Sequence, residues 1–337
     1  MNPIEEIFPV LAAPKKVIIT MHQKPDPDAM GSSLALYHLL VQLGHSVTVV
    51  SPTNWPAFLN WMPGCEDVLD YENNRQREKI YESLMNADLL FCLDFNAISR
   101  AKHFAAPIKA SSCKKILIDH HQQPETASFD YGISDTSKSS TSEMIYNFIW
   151  NGGYRDKMNT SIAECLYAGV MGDTGSFRYA SASESVHRMI ADLKALGLKH
   201  TPVHDNIYDN FLENRLRFLG HVLLNRMQVF YEYNTALISV PKTDLLKFEI
   251  RTGDTEGLVN FPLTIQGIKM AAICIDRDEE RKWSFRSKGE FDVNTFARNY
   301  FEGGGHYNAA GGHSSESLEK TIHRFKEALK ENASQLQ

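Results

Sequence analysis

The sequence has no long apolar run. None approaches the ~20 residues needed to cross a bilayer, so no membrane association is expected. Cysteine is scarce: Cys65, Cys92, Cys113, Cys165 and Cys274 are scattered, odd in number and without a Cys-x-x-Cys pair. That argues against a disulfide framework or a zinc ribbon, and for free thiols in a reducing cytosol. The stretch from Met1 to Lys16 carries Glu5 and Glu6 and lacks the basic-then-apolar order of a secretory signal, so a cytoplasmic location is expected. There is no excess of positive charge, with 35 basic residues against 41 acidic ones and a net charge of −6. An extended polyanion would be repelled on average. A nucleic-acid substrate would therefore have to be short, neutralised by metal ions and a local basic patch. Internal repeats and long low-complexity tracts are missing too.

At 337 residues the chain exceeds the ~100–200 typical of one domain, and two are expected. Its first half alternates strand-like and helix-like runs. Strands are expected at 17–20, 47–50, 89–93 and 116–118, with an edge strand at 129–133. Helices are expected at 29–43, with Asp28 as its cap, and at 75–86, 140–150 and 161–171. Such alternation implies an α/β fold with a doubly wound, mostly parallel sheet. Helical stretches at 184–198 and 208–226 read as a connector. Beyond them, strands at 229–240, 268–275 and 283–287 and helices at 294–301 and 318–331 describe a smaller second α/β unit. The run Asp276 to Lys282 reads as a solvated hairpin tip. The resulting division is 1–185, 186–227 and 228–337.

The chemistry-bearing residues gather where apolar runs end. The run 115–118 stops in Asp119-His120-His121. The first strand leads into His22, Asp26 and Asp28, the run 89–93 into Asp94, and the run 161–171 into Gly172-Asp173-Thr174-Gly175. In open α/β sheets, ligands bind beyond the carboxyl ends of the strands. Each Asp taken alone is as well explained as a turn or cap residue; together the set is not. Mixed carboxylate and imidazole donors without thiolates suit Mn²⁺, Mg²⁺, Fe²⁺ or Zn²⁺ in a non-structural role. Four aspartates balance two divalent cations, and one of them could bridge ions ~3.5–4 Å apart. In the second unit, Gly303-Gly304-Gly305-His306-Tyr307-Asn308-Ala309-Ala310-Gly311-Gly312 could turn backbone amides inward as an anion nest. Arg286, in the strand expected at 283–287 beside Ser287, could clamp a terminal phosphate. Trp55, Phe58 and Trp61 are read as satellite core, and His38 as a packed or surface residue.

These motifs resemble those of the DHH phosphoesterase superfamily, named for the triad seen here as Asp119-His120-His121. His22-x-x-x-Asp26-x-Asp28, Asp94 and Gly172-Asp173-Thr174-Gly175 match its other motifs, and the Gly-rich stretch resembles the signature of the DHHA1 domain. Length and order are similar to the compact nanoRNase/pAp-phosphatase branch rather than the longer RecJ-type exonucleases. The resemblance implies a DHH catalytic domain and a DHHA1 substrate-binding domain. It implies that His22, Asp26 and Asp94 hold one Mn²⁺, while Asp28, Asp94, His120 and Asp173 hold the other; Mg²⁺, Co²⁺ or Fe²⁺ are the alternatives. His121 would face the substrate phosphate and Asp119 would orient a neighbour. Arg286, Ser287, Gly304, Gly305 and His306 would bind substrate. The expected activity is hydrolysis of short RNA oligonucleotides to 5′-mononucleotides, and of 3′-phosphoadenosine 5′-phosphate (pAp) to AMP, by metal-activated water. The alternatives are a phosphodiesterase for linear or cyclic dinucleotides and a non-catalytic nucleotide or RNA sensor. Oligomeric state is not readable.

Overall fold

The computed structural model describes residues 1–251, 253–277 and 280–337. Asp278 and Glu279, at the expected hairpin tip, lie outside the described residues. The chain forms two compact units, Met1–Asn210 and Phe211–Gln337.

The first unit is built on seven strands: β1 (Asn2–Pro3), β2 (Lys16–Thr20), β3 (Ser46–Ser51), β4 (Leu69–Asp70), β5 (Leu89–Leu93), β6 (Lys114–Asp119) and β7 (Tyr131–Ser134). They pair in the order β1-β7-β6-β5-β2-β3-β4, each pair parallel. The chain runs outward from β2 through β3 to β4, then returns to the other side of β2 for β5, β6 and β7. The order therefore reverses between β2 and β5, which opens a crevice at their carboxyl ends. Strand alternation sends Val17, Ile19, Phe91 and Ile116 to one face and Ile18, Leu90, Cys92 and Leu117 to the other. The first face is covered by α1 (Pro27–Gln42), α4 (Thr141–Asn151), α5 (Thr160–Asp173), α6 (Glu184–Ala195) and α7 (His200–Tyr208); the second by α2 (Arg77–Met85) and α3 (Ala105–Ala110).

Several expectations are refined. β7 is not an edge strand, because Asn2 and Pro3 pair with Tyr131 and Gly132. Two-residue strands such as β1 carry too little periodicity to be legible. Asp26, not Asp28, caps α1, its carboxylate accepting from the amides of Asp28 and Ala29. Proline at the first helical position makes this earlier start favourable. Residues 186–227 do not form a separate connector. Val186, Met189, Leu193, Val203 and Ile207 complete the first core, whereas Phe218 and Val222 of α8 (Glu213–Asn225) enter the second.

The second unit holds β8 (Met227–Phe230), β9 (Thr235–Val240), β10 (Met270–Asp276), β11 (Arg281–Ser287), β12 (Gly304–His306) and β13 (Ala309–Ser314), ordered β12-β13-β11-β10-β9-β8. Among the described residues of this unit, only β9 and β10 pair in parallel. The single strand expected over 229–240 is a hairpin, turned at Tyr231–Tyr233 with Asn234 left-handed at φ 44°. Asn is among the few residues that adopt this backbone readily. The short α9 (Lys242–Lys247) follows β9, while α10 (Val293–Tyr300), α11 (Leu318–Glu331) and α12 (Ala333–Leu336) come later. On one face Trp283 stacks on Phe285 and Phe325 at centroid distances of 5.4 and 5.2 Å, and its indole N–H donates to Thr321.

In the first unit, α1 and α5 touch backbone to backbone. A Cβ on Gly31 would lie 2.4 Å from the Cys165 carbonyl oxygen, and one on Gly169 would lie 1.9 Å from Ser142 Oγ and 2.7 Å from Asp28 Oδ1. Gly31→Ala should therefore cost about 1–3 kcal/mol of stability through overpacking. Gly220→Ala, in α8 with open space around it, should instead stabilise by up to ~1 kcal/mol. Urea denaturation of the two variants reads both signs.

Candidate metal centre

The crevice collects side chains from five elements. Beyond β2 come His22, Asp26 at the cap of α1, and Asp28 in its first turn. Beyond β5 comes Asp94. Asp119 is the last residue of β6 and is followed by His120 and His121. Asp173, expected just beyond the helix 161–171, is the last residue of α5. That helix runs two residues further than its apolar pattern and carries the carboxylate in with it.

Two groups form. His22, Asp26 and Asp94 converge, with His22 Nε2 3.3 Å from Asp94 Oδ2 and 3.7 Å from Asp26 Oδ2. Asp28, His120 and Asp173 converge, with His120 Nε2 3.2 Å from Asp173 Oδ2 and 3.9 Å from Asp28 Oδ2. Asp94 joins them: its other oxygen, Oδ1, is 3.4 Å from His120 Nε2. Asp94 sits in left-handed backbone at φ 62°, a conformation tolerated for Asp but uncommon. Beside the pair, Asp119 is fully buried. Its Oδ1 accepts from His121 Nδ1 at 2.7 Å and its Oδ2 from the His121 amide at 3.1 Å.

The helix termini hold much of this charge in place. The Asp28 carboxylate accepts from the first amides of α4, Thr141 N at 2.7 Å and Ser142 N at 2.9 Å. The Thr141 hydroxyl donates to Asp94 Oδ1 at 3.0 Å. Amides at a helix N-terminus favour an anion through both hydrogen bonding and the dipole. Sequence reasoning missed Thr141 as a site residue. The signal was present, because Ser140-Thr141-Ser142-Glu143 has the Ser-x-x-Glu form of a capping box, but nothing local says which distant carboxylate those amides receive.

Electrostatics make the cluster incomplete by itself. Burial would lower the His22 imidazole, but Asp26 and Asp94 outweigh it and hold it at about 10. His120 is likewise desolvated yet held well above its usual range by Asp173 and Asp94. Burial opposes ionisation of Asp94, but the two imidazoles keep it well below the usual carboxylate range. Burial, with Asp94 and Asp173 beside it, pushes Asp28 well up, and burial with Asp26 and Asp94 raises Asp173. Ring orientation shows what the imidazoles are arranged for. His22 Nδ1 lies 2.8 Å from the Gln23 carbonyl and His120 Nδ1 3.3 Å from the Lys138 carbonyl. A carbonyl only accepts, so each Nδ1 carries hydrogen and each Nε2 is turned on the carboxylates. A lone pair facing carboxylates needs a proton or a cation between them. Oxygen and imidazole donors in two groups, joined by a carboxylate with one oxygen toward each, fit two divalent cations.

In the second unit, the Gly-rich stretch is not an open nest but the strand pair β12–β13. The Gly305 amide is taken by Asn294 Oδ1 at 2.9 Å. Register puts His306 and Arg286 on either side of Ala309 in one cross-strand row, about 10 Å apart across two strand spacings. Gly304 has the exposed Arg298 beside it: a Cβ there would lie 3.3 Å from Arg298 Nη2. Ser287, next to Arg286, points to the opposite face. Its hydroxyl donates to the Phe291 carbonyl at 2.7 Å and accepts from Asn308 at 2.8 Å. Alternation along a strand separates neighbours in this way.

A doubly wound parallel sheet with paired imidazole–carboxylate groups at its switch point is the arrangement of a DHH-type phosphoesterase. The sequence matches the DHH family, N-terminal domain, over residues 16–170 and the DHHA1 domain over residues 229–335, and the chain belongs to the DHH/DHHA1 family, in its NrnA-like branch. It is 28% identical over 307 residues to the bifunctional oligoribonuclease and PAP phosphatase NrnA of Bacillus subtilis, covering 91% of each chain. It is 28% identical over 333 residues to the protein of the same name from Thermus thermophilus, covering 98% of this chain and 94% of that one. The crystal structure of an exopolyphosphatase-related protein from Bacteroides fragilis superposes with a TM-score of 0.93 at 38% identity, covering 99% of this chain and 97% of that one. Among the described residues no helix is long and apolar enough to cross a membrane.

Ligation requires neutral imidazoles, so cation binding must expel the protons that His22 and His120 hold at neutral pH. Mn²⁺ affinity should rise from pH 6.5 to 9, with roughly one proton released per imidazole. Calorimetry in buffers of different ionisation enthalpy counts them, and His22→Ala should lower the count by about one. In cation-free protein the sign reverses. With a folded value of about 10 against 6.5, the His22 contribution to stability is complete below pH 6.5 and lost as pH rises through 10. Melting temperatures of cation-free protein should fall over that window, and less so in His22→Ala.

Proposed function

We propose that this phosphoesterase hydrolyses short oligoribonucleotides to 5′-mononucleotides and pAp to AMP. The observation that carries the reading is the pair of His–Asp groups joined through Asp94, each of its oxygens turned toward a different imidazole. His22, Asp26 and Asp94 would hold one divalent cation, and Asp28, Asp94, His120 and Asp173 the other, with Mn²⁺ the ion of choice. Bound there, two such cations lower the pKa of a water from 15.7 toward ~7 and offset the charge of the phosphate.

The side chains supply the rest. Asp119 fixes His121 with Nδ1 as the donor, so His121 Nε2 is the nitrogen that meets the substrate phosphate. A donor there stabilises the charge that builds on the phosphoryl oxygens. Thr141 and the α4 amides keep Asp28 and Asp94 from rotating as that charge changes. In the second unit, the row Arg286–Ala309–His306 offers a guanidinium and an imidazole over a small-residue floor, suited to a terminal phosphate and its nucleoside. Substrate contact there is assigned to Arg286 and His306, with Gly304 and Gly305 as the flat approach. Ser287 stiffens the turn behind them. The names of the NrnA relatives and the acidic net charge both support short substrates. The whole reading is of a protein acting in the cytoplasm.

The test is kcat/KM with Mn²⁺ on a three-nucleotide RNA, a twenty-nucleotide RNA, pAp and a cyclic dinucleotide. The short RNA and pAp should be preferred, and Asp94→Ala should bring turnover to background. His121→Ala should lower kcat by ~10²–10³-fold with little change in KM. Arg286→Ala should chiefly raise KM. Preference for the cyclic dinucleotide would make the protein a dinucleotide phosphodiesterase, and no turnover on any substrate would make it a sensor.

A further inference from the structure

One buried carboxylate beside the metal centre has no place in the ligand set. Glu143, in the first turn of α4, is 3% exposed. Burying a carboxylate is costly unless its oxygens are fully hydrogen-bonded, and these are. Oε2 accepts from the Ser139 amide at 2.8 Å and from Ser139 Oγ at 2.9 Å. Oε1 accepts from Ser185 Oγ on α6 at 2.9 Å, with Lys138 Nζ at 3.5 Å. A capping-box glutamate ordinarily reaches back to the amide of the N-cap residue itself. The N-cap here is Ser140, whose side chain accepts from the Glu143 amide. The Glu143 carboxylate goes one residue further, to Ser139.

That displacement selects a particular peptide group. The N–H of Ser139 and the C=O of Lys138 belong to the same planar amide. The N–H points to Glu143, and the C=O accepts from His120 Nδ1 at 3.3 Å. We propose that Glu143 is a positioning residue for His120, acting through the Lys138–Ser139 peptide to aim His120 Nε2 at the cation held with Asp28, Asp94 and Asp173. An anion on the amide hydrogen draws electron density toward the carbonyl oxygen, because bonds in series polarise one another. The carbonyl becomes a stronger acceptor and the ring a better donor to a cation. Carboxylate–histidine–metal triads do this by direct contact; here one peptide group is inserted between carboxylate and ring. Ser185 and Lys138 fix the far oxygen, and a flip of the peptide plane would break both the Ser139 N–H bond to Glu143 and the Lys138 C=O bond to His120.

The inference rests on reading the cluster as a two-cation site, and the test separates the two. Mn²⁺ alone is titrated calorimetrically, without substrate, into wild type, Glu143→Gln and Glu143→Ala. Melting temperatures are recorded in parallel on ion-free protein. Gln keeps the volume and can still accept from Ser139, but removes the charge. Expected is two-ion binding in wild type. In Glu143→Gln one ion should be unchanged and the other weakened by about 10–100-fold, with ion-free melting close to wild type. The inference is overturned if Glu143→Gln binds both ions as wild type does, or if both ions weaken equally alongside a fall in melting temperature. Should Glu143→Ala fail to fold, Glu143→Gln decides alone. If wild type binds no Mn²⁺, the two-cation reading fails and the role of Glu143 with it.

Discussion

Four carboxylates must share one crevice, and most of the first unit can be understood as a response to that. Asp26, Asp28, Asp94 and Asp173 repel one another in a medium that screens poorly. Three of them are supplied with a donor from the surrounding main chain or side chains. Asp26 caps the helix it begins, Asp28 receives two amides from α4, and Asp94 takes a hydroxyl from Thr141. Asp173 is the exception. It closes α5, where the helix dipole is negative, and the imidazole of His120 lies 3.2 Å from it. Of the four, it depends most on a cation from outside. Charge that local donors do not absorb falls on the two imidazoles, and those are turned so that a metal can replace their protons.

The second unit solves a different problem with the same period-two geometry. One face of its sheet is filled by an aromatic stack of Trp283, Phe285, Phe301 and Phe325. The other carries Gly311, Ala309 and Ser284 in neighbouring positions of β13 and β11. Bulk on one side allows the strand to be bare on the other. A flat floor of small residues lets a planar group approach the backbone, while Arg286 and His306 stand at its margins.

Much of this was legible in the sequence, and the failures have physical causes. The parallel sheet announced itself through β-branched runs separated by helical patterns, and six potential ligands through polar residues placed abruptly at the ends of apolar runs. What could not be seen was pairing at long range. Asp28 was expected to cap its own helix, and it bonds instead to amides more than a hundred residues away. Asp173 was expected just beyond its helix, because Gly172 interrupts the apolar pattern, and the helix continues far enough to include it. The Gly-rich stretch was expected as a loop, since glycine weakens strand propensity; its strand character comes from pairing with β11. Arg286 and Ser287 were grouped by proximity along the chain, and the pleat of the sheet separates them. The boundary between the units was blurred because the helices on either side of it look alike, though they serve different cores.

The close approach of α1 and α5 has a consequence for the metal centre. Asp26 and Asp28 ride on the start of α1, and Asp173 rides on the end of α5. Pro27 lies against Gly172, and Gly31 against Cys165 and Gly169. Because glycine leaves no side chain between the helices, the gap separating these carboxylates is fixed by main-chain contact. It acts as a caliper with no adjustable jaw. Larger or smaller residues elsewhere in the core can reshape the unit while the distance spanned by these carboxylates stays the same.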